Sequence, residues 1–213
     1  MQENICYVVG AGENYGLDIS THTGDYVIAA DAGLSYLEQA GTPADLVIGD
    51  FDTLRHIPKH PNVITLNKEK DETDTFAAVK QGIEKGYKVF CLHCCTGGRV
   101  DHTLANIQLL AYLSQNAMQG FLFDKNSIIT AITNTTLVFP LCDKDYVSVF
   151  THSDKSSGVF LNGLKYRLDN AEITSVFPIG VSNEFVGNES SITVKNGTLI
   201  VVYPRKLGGI VAL

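Results

Sequence analysis

The run Leu46-Val47-Ile48-Gly49-Asp50-Phe51-Asp52 decides how this chain is read. Leu46 to Ile48 are apolar and fit a short buried strand, which Gly49 ends. Asp50 and Asp52 alternate, so in extended backbone both carboxylates point the same way. Two like charges at the mouth of a sheet repel one another unless a cation lies between them. Such oxygen ligands suit Mg²⁺, which takes a few carboxylates and completes its shell with water and phosphate. An isolated Asp-x-Asp also fits a solvated acidic turn, so the neighbouring sequence has to decide.

On either side of this run, strands alternate with helices. Ile5 to Val9 and Tyr26 to Ala30 read as strands, and Gly33 opens a helix carrying Leu34, Leu37 and Ala40 that Gly41 closes. Val63 to Leu66 is a short fourth strand. A helix from about Asp74 to Lys85 places Phe76, Val79 and Ile83 on one face, with Gly86 as its cap. Tyr87 to Leu92 is the fifth strand, and a helix carrying Leu104, Ile107 and Ala111 reaches about Leu113. The pattern predicts a Rossmann-like, mostly parallel sheet with flanking helices.

From about Phe121 the character changes. Short β-branched segments follow, among them Ser127 to Thr133, Thr136 to Phe139, Tyr146 to Thr151 and Ala171 to Phe177. Asn196-Gly197, between Val194 and Leu199, predicts a hairpin with a type I′ turn. The fold class expected is α/β over residues 1–117 followed by an all-β sandwich over 118–213.

Composition narrows the function. With 213 residues and 45% hydrophobic content the chain can bury a sizeable core. No apolar run approaches a membrane span, and Met1-Gln2-Glu3-Asn4 lacks a signal-peptide pattern, so a cytoplasmic protein without membrane partners is expected. A formal charge of −7 argues against a general nucleic-acid binder. The five cysteines are an odd number and do not suggest a disulfide scaffold. Cys91-Leu92-His93-Cys94-Cys95 reads as a core strand ending in buried thiols rather than as half of a zinc site.

Ligands of a parallel α/β sheet bind beyond the carboxyl ends of its strands. Asp31 follows the second strand, Asp50 and Asp52 the third, Asp71-Glu72-Thr73-Asp74 the fourth, and Gly97-Gly98-Arg99-Val100-Asp101-His102 the fifth. The polar residues therefore gather on one edge. Helix capping is an alternative role for Asp31, Asp71 and Asp74, and His102 reads as a helix-start residue rather than a general base. Glycines let backbone N–H groups approach an anion, and a guanidinium offers forked donors to phosphate. Paired acids with a Gly-Gly-Arg loop suggest metal-assisted phosphoryl transfer. The Walker pattern is absent. Gly10-Ala11-Gly12 with Asp31 imitates a dinucleotide fingerprint, which would make the chain an NAD(P)-dependent oxidoreductase, but Tyr15 stands where the third glycine belongs.

Asp31-Ala32-Gly33, Gly49-Asp50-Phe51-Asp52, Lys70-Asp71-Glu72-Thr73-Asp74 and Gly97-Gly98-Arg99-Val100-Asp101-His102, followed by a β region containing Gly180-Val181-Ser182-Asn183, together resemble the thiamine pyrophosphokinase family. The resemblance implies a homodimer with composite sites, transferring pyrophosphate from ATP to the thiamine hydroxyl with release of AMP. It implies Mg²⁺ held by Asp50, Asp52 and an acid of the Asp71/Asp74 pair, with Arg99 also catalytic. Asp31, Gly97, Gly98, Arg99, Asp101 and His102 would form the ATP site, and Ser182 and Asn183 would contact thiamine. Two features depart from the family pattern: the chain has no tryptophan, and Tyr166-Arg167-Leu168 stands where Tyr-Pro-Leu is frequent. Phe177, Phe185 and Tyr203 are then the candidates to close a thiamine pocket. Both departures lie in the acceptor half, which also admits a pyrophosphokinase acting on another small alcohol.

Overall fold

Five parallel strands carry the first half of the chain: β1 (Ile5–Val9), β2 (Tyr26–Ala30), β3 (Leu46–Gly49), β4 (Val63–Thr65) and β5 (Val89–His93). They lie side by side in the order β5-β1-β2-β3-β4. The computed structural model describes residues 3–51, 56–67, 69 and 71–208. The chain divides into two compact units, one reaching Leu109 and including Leu122–Asp124, the other formed by Leu110–Phe121 and the chain from Lys125. The division thus falls inside helix α3 (Val100–Gln115) and strand β6 (Gln119–Phe123).

Strands β1, β2, β3 and β5 are short and buried almost throughout, so they read as continuous apolar runs, while β4 at the sheet edge is partly exposed. Cys6, Val8, Val9, Ile28, Val47, Ile48 and Leu92 are buried. Their register aligns the carboxyl ends: Val9 pairs with both Ala29 and His93, and Ala30 pairs with Ile48. Residues following β1, β2, β3 and β5 therefore emerge on one edge.

Helices α1 (Gly33–Ala40) and α2 (Asp74–Glu84) return the chain between strands. Gly41 ends α1 in the left-handed region, with φ 68°. A Cβ at Gly33 would overlap the Val9 carbonyl oxygen, so α1 can start against β1 only because this residue lacks one. The α2 face differs from the expected one. Thr75, Ala78, Val79 and Gly82 are buried while Phe76 and Ile83 are half-buried, because the helix lies close to the sheet. A Cβ at Gly82 would stand 2.7 Å from the Phe90 ring and 2.8 Å from the Cys6 sulfur. Small side chains set that approach, and the larger ones flank it. Along α3 the buried stripe is Asn106, Leu109, Leu110 and Leu113, and Leu104 is 58% exposed. All five cysteines are free and buried, with Cys91 inside β5.

The second unit holds antiparallel strands from two sheets: a run in the order β12-β9-β14-β7, and the four-stranded sheet β11-β10-β13-β8. Their strands are β7 (Ser127–Thr133), β8 (Thr136–Phe139), β9 (Tyr146–Thr151), β10 (Lys155–Asn162), β11 (Leu168–Thr174), β12 (Gly180–Glu184), β13 (Ser190–Thr193) and β14 (Thr198–Pro204). Phe139 of β8 meets the edges of Phe185 and of Tyr203 in β14, with ring centroids 5.3 and 5.1 Å apart, so both sheets contribute to one core. Asn196-Gly197 does not close a hairpin. β13 and β14 belong to different sheets, and the dipeptide carries the chain from one to the other. Asn196 exchanges two backbone hydrogen bonds with Ser157, and the Gly197 N–H donates to Asn134 Oδ1 at 2.9 Å. Gly197 takes the positive φ expected of it, 117°, but Asn196 is not in the left-handed region, so the predicted type I′ turn does not form and the dipeptide serves a corner. Among the described residues, no helix is long and apolar enough to cross a membrane.

Candidate active site

β5 lies beside β1 while the chain leaving β1 proceeds to β2 on the other side, which makes the β1/β5 boundary a topological switch point. Beyond it the two loops stay zipped: Gly10, Gly12 and Glu13 N–H groups donate to the carbonyls of His93, Cys94 and Thr96 at 2.7–2.9 Å. A cleft of about 750 Å³ opens there. Its walls come from the loops after β1, β2, β3 and β5, the start of α2 and the first turns of α3.

Asp31, Asp50, Asp74, Gly97, Gly98, Arg99 and His102 all line this cleft, as the edge argument required. Asp31 does not cap α1, whose N-cap is Ala32 with no side-chain bond. Instead it sits in the left-handed region at φ 50°, 7% exposed, directly over Gly49. Its Oδ1 is buried and, among the described residues, accepts no hydrogen bond. Asp50 is half-buried, and Asp52 lies outside the described residues. The cap of α2 is Thr73, whose Oγ1 accepts from the Phe76 N–H at 3.2 Å, so neither acid of the Asp71/Asp74 pair performs that role. Asp74 opens the helix and faces the cleft, whereas Asp71 is exposed and off its wall.

Gly97 and Gly98 both have positive φ, 78° and 60°. Their turn delivers Arg99 to the rim, where its guanidinium forks onto Asp101, Nε to Oδ1 at 3.2 Å and Nη2 to Oδ2 at 2.5 Å. That hydrogen-bonded pairing holds the Asp101 carboxyl below the ordinary carboxylate range and raises Arg99. Asp101 itself does not line the cleft.

Several lining residues escaped the sequence reading. Glu13 and Tyr36 face the cleft, and the Tyr36 hydroxyl donates to the Gly12 carbonyl at 3.0 Å. Thr96 lines it while donating to Asp124 Oδ1 at 2.7 Å. Thr75 and Asn106 complete the floor. Asn106 could have been found from spacing, because it lies four residues after His102 on the same helix face. The turn of α3 that brings His102 and Asn106 to the cleft also swings Leu104 towards solvent.

In the second unit, Ser182 is exposed at φ 56°. Asn183 is 3% exposed, and its amide is engaged by backbone: Oδ1 accepts from the Tyr166 and Glu184 N–H groups, and Nδ2 donates to the Tyr166 carbonyl. Phe185 and Tyr203 are core residues, each 1% exposed, whereas Phe177 is 66% exposed. Of the three aromatic candidates, only Phe177 is open to a ligand.

The carboxylates of the cleft suit a hard cation in chemistry, and the donorless Asp31 Oδ1 marks a place where positive charge or a hydrogen-bond donor is wanted. Among the described residues, no three His, Cys, Asp or Glu side chains form a complete metal cage. The cleft carboxylates Asp31, Asp50 and Asp74 are of the donor type that Mg²⁺ takes, since it is ordinarily held by one or two carboxylates plus substrate phosphates and water.

Comparison with known proteins supplies the family. Residues 20–122 match the family model described as thiamin pyrophosphokinase, catalytic domain, and residues 134–200 match thiamin pyrophosphokinase, vitamin B1 binding domain. A thiamine pyrophosphokinase of Bacillus subtilis is 30% identical over 94% of this chain and 98% of its own length. The crystal structure of a B. subtilis thiamine pyrophosphokinase superposes with a TM-score of 0.84 at 29% identity, covering 95% of this chain and 99% of that one. A family protein from Enterococcus faecalis gives 0.81 at 25% identity, covering 95% and 99%. With both family domains matched in order and a full-length relative at that identity, the chain belongs to the thiamine pyrophosphokinase family.

Proposed function

We propose that this chain catalyses Mg²⁺-dependent transfer of a pyrophosphoryl group from ATP to the hydroxyl of thiamine, giving thiamine diphosphate and AMP. The observation that carries the reading is the gathering of Asp31, Asp50, Asp74 and the Gly97-Gly98-Arg99 turn around one cleft at the strand ends, in a chain of this family. Asp50, Asp52 and Asp74 hold the cation, and Asp71, exposed and off the wall, is the weaker member of its pair. The ion supplies charge neutralisation on the phosphates. Arg99 exchanges its exposed partner Asp101 for phosphate oxygens, and the Gly97-Gly98 backbone approaches the same group. His102 and Asp31 bind the remainder of the nucleotide.

In the transfer, the thiamine oxygen forms a bond to the β-phosphorus as the bridging bond to the α-phosphate breaks, and AMP leaves with the bridging oxygen. The hydroxyl proton is released, and a loose transition state asks little of a base. Ser182 and Phe177 are the exposed candidates for the acceptor, and Asn183 shapes the acceptor loop through Tyr166. We also infer a homodimer. Tyr146 and Phe150 of β9 are 64% and 39% exposed on the face opposite buried Val147 and Val149, and Val181 on neighbouring β12 is 43% exposed. Sedimentation as a monomer at micromolar concentration would remove that part.

One reaction tests the whole: ATP, Mg²⁺ and thiamine, with the products separated. AMP and thiamine diphosphate should appear together, and neither in chelator. Asp50→Asn and Asp74→Asn should each lower turnover by orders of magnitude with folding intact. ADP with thiamine monophosphate would overturn the pyrophosphoryl assignment, and turnover only with a different alcohol would move the acceptor.

A further inference from the structure

Asn106 is 3% exposed yet lines the cleft, and its side chain makes one hydrogen bond among the described residues, Nδ2 to the Cys95 carbonyl at 2.7 Å. That bond fixes which way the amide points. The Cys95 carbonyl only accepts, so the atom facing it must be the nitrogen, and a flipped amide would set two acceptors against each other. The Cys95 carbonyl belongs to a buried stretch of chain. Its residue follows β5, is 5% exposed, and donates its thiol to the His93 carbonyl at 3.2 Å. Among the described residues Asn106 Oδ1 therefore remains an acceptor without a donor. It is not among the polar atoms sealed from the surface, and the opening beside it is the cleft. With Nδ2 held on the Cys95 carbonyl, Oδ1 is a pre-oriented acceptor open to the cleft, where a donor of a bound ligand can replace water.

We propose that Asn106 determines nucleotide specificity, its Oδ1 accepting a hydrogen bond from an uncharged donor of the bound nucleotide, either a ribose hydroxyl or the exocyclic amine of the base. The proposal rests on ATP as the substrate of this cleft. Phosphate oxygens do not qualify, because they are acceptors and carry the same sign of partial charge as Oδ1. The helix geometry separates the tasks: Arg99 stands at the rim for phosphate, and Asn106 lies about two turns further along α3, where the neutral part of the nucleotide would reach.

Isothermal titration calorimetry with ATP, 2′-deoxyATP, 3′-deoxyATP and purine riboside triphosphate, which lacks the 6-amino group, tests this on the wild type and Asn106→Ala. One analogue should bind the wild type about tenfold more weakly than ATP, as loss of one buried hydrogen bond predicts, and the variant should bind that analogue and ATP alike. The analogue that behaves so names the donor. Asn106→Ser, which keeps a donor for the Cys95 carbonyl, serves if the alanine variant does not fold. Equal weakening of all four nucleotides by substitution would make Asn106 a prop for the loop and overturn the proposal. So would equal binding of all four to the wild type, or a preference that exists only with Mg²⁺ present. Failure of the wild type to bind ATP at all would remove the ATP reading itself, and this inference with it.

Discussion

Replacing Asp31 with asparagine should stabilise the ligand-free protein while weakening its hold on ATP. Asp31 is 7% exposed, and among the described residues its Oδ1 accepts no hydrogen bond. An unsatisfied buried polar group costs about 1–3 kcal/mol, and a charged one more. Asparagine removes the charge but leaves a desolvated amide, so the net gain is about 1–2 kcal/mol by the same reckoning. The backbone does not object, because asparagine tolerates the left-handed conformation that Asp31 adopts at φ 50°. For a chain of this length, 1 kcal/mol moves Tm by about 2–4 °C, so a rise of roughly 2–8 °C is expected in scanning calorimetry without nucleotide or metal. ATP affinity, measured by titration calorimetry on the same samples, should fall. Asp31→Ala is the control: it also removes the charge, but a Cβ without a polar group in the left-handed region costs about 1–2 kcal/mol and should cancel the gain. An unchanged or lowered Tm for Asp31→Asn would refute the view that this carboxylate is held at a cost for a ligand.

Gly33→Ala forces a Cβ onto the Val9 carbonyl oxygen, and displacing α1 should cost about 1–3 kcal/mol, read as a lower urea midpoint; an unaltered midpoint would mean the helix start is not tightly held. Asn183→Ala removes three hydrogen bonds to backbone, of about 1 kcal/mol each, and should lower Tm as well as disturb thiamine use. A raised thiamine KM with unchanged Tm would instead make Asn183 a direct contact. The Asp101 carboxyl, depressed by Arg99, contributes stability above its unfolded value near 3.9 and loses it as pH falls through the lower folded value. If ATP recruits Arg99, carbon-13 NMR should show the Asp101 titration moving upward on nucleotide addition, and no movement would keep the pair intact in the complex.

Much of the first unit was legible because its signals are local. Buried parallel strands read as unbroken apolar runs, Gly41 announced the end of α1, and the strand-end rule gathered Asp31, Asp50, Asp74 and Arg99 without any coordinates. What failed depended on distance between elements. Hydropathy favoured Phe76 and Ile83 as the inner face of α2, yet close approach to the sheet selected Thr75, Ala78 and Gly82. Asn196-Gly197 announced a turn, and nothing nearby in sequence says that the next strand joins the other sheet. For Asn183, a polar residue in an apolar segment, sequence suggests a ligand contact and does not show its backbone role. Its partners at Tyr166 lie 17 residues away, beyond what pattern can show. Tyr36 is hidden for a related reason, since on a helix a cleft-facing polar residue looks like a solvent-facing one, whereas Asn106 is betrayed only by its spacing from His102.

The zipped loops after β1 and β5 bear on attempts to change what this scaffold carries. In a dinucleotide fingerprint, the glycine loop after the first strand offers its amides to a pyrophosphate. Here the N–H groups of Gly10, Gly12 and Glu13 are already spent on the carbonyls of His93, Cys94 and Thr96. Supplying the missing glycine at Tyr15 would therefore not create a nicotinamide protein, because the obstacle is the donors' commitment rather than the motif's spelling. Cofactor exchange by loop grafting would have to rebuild the segment after β5 together with the one after β1, as a single double-stranded part.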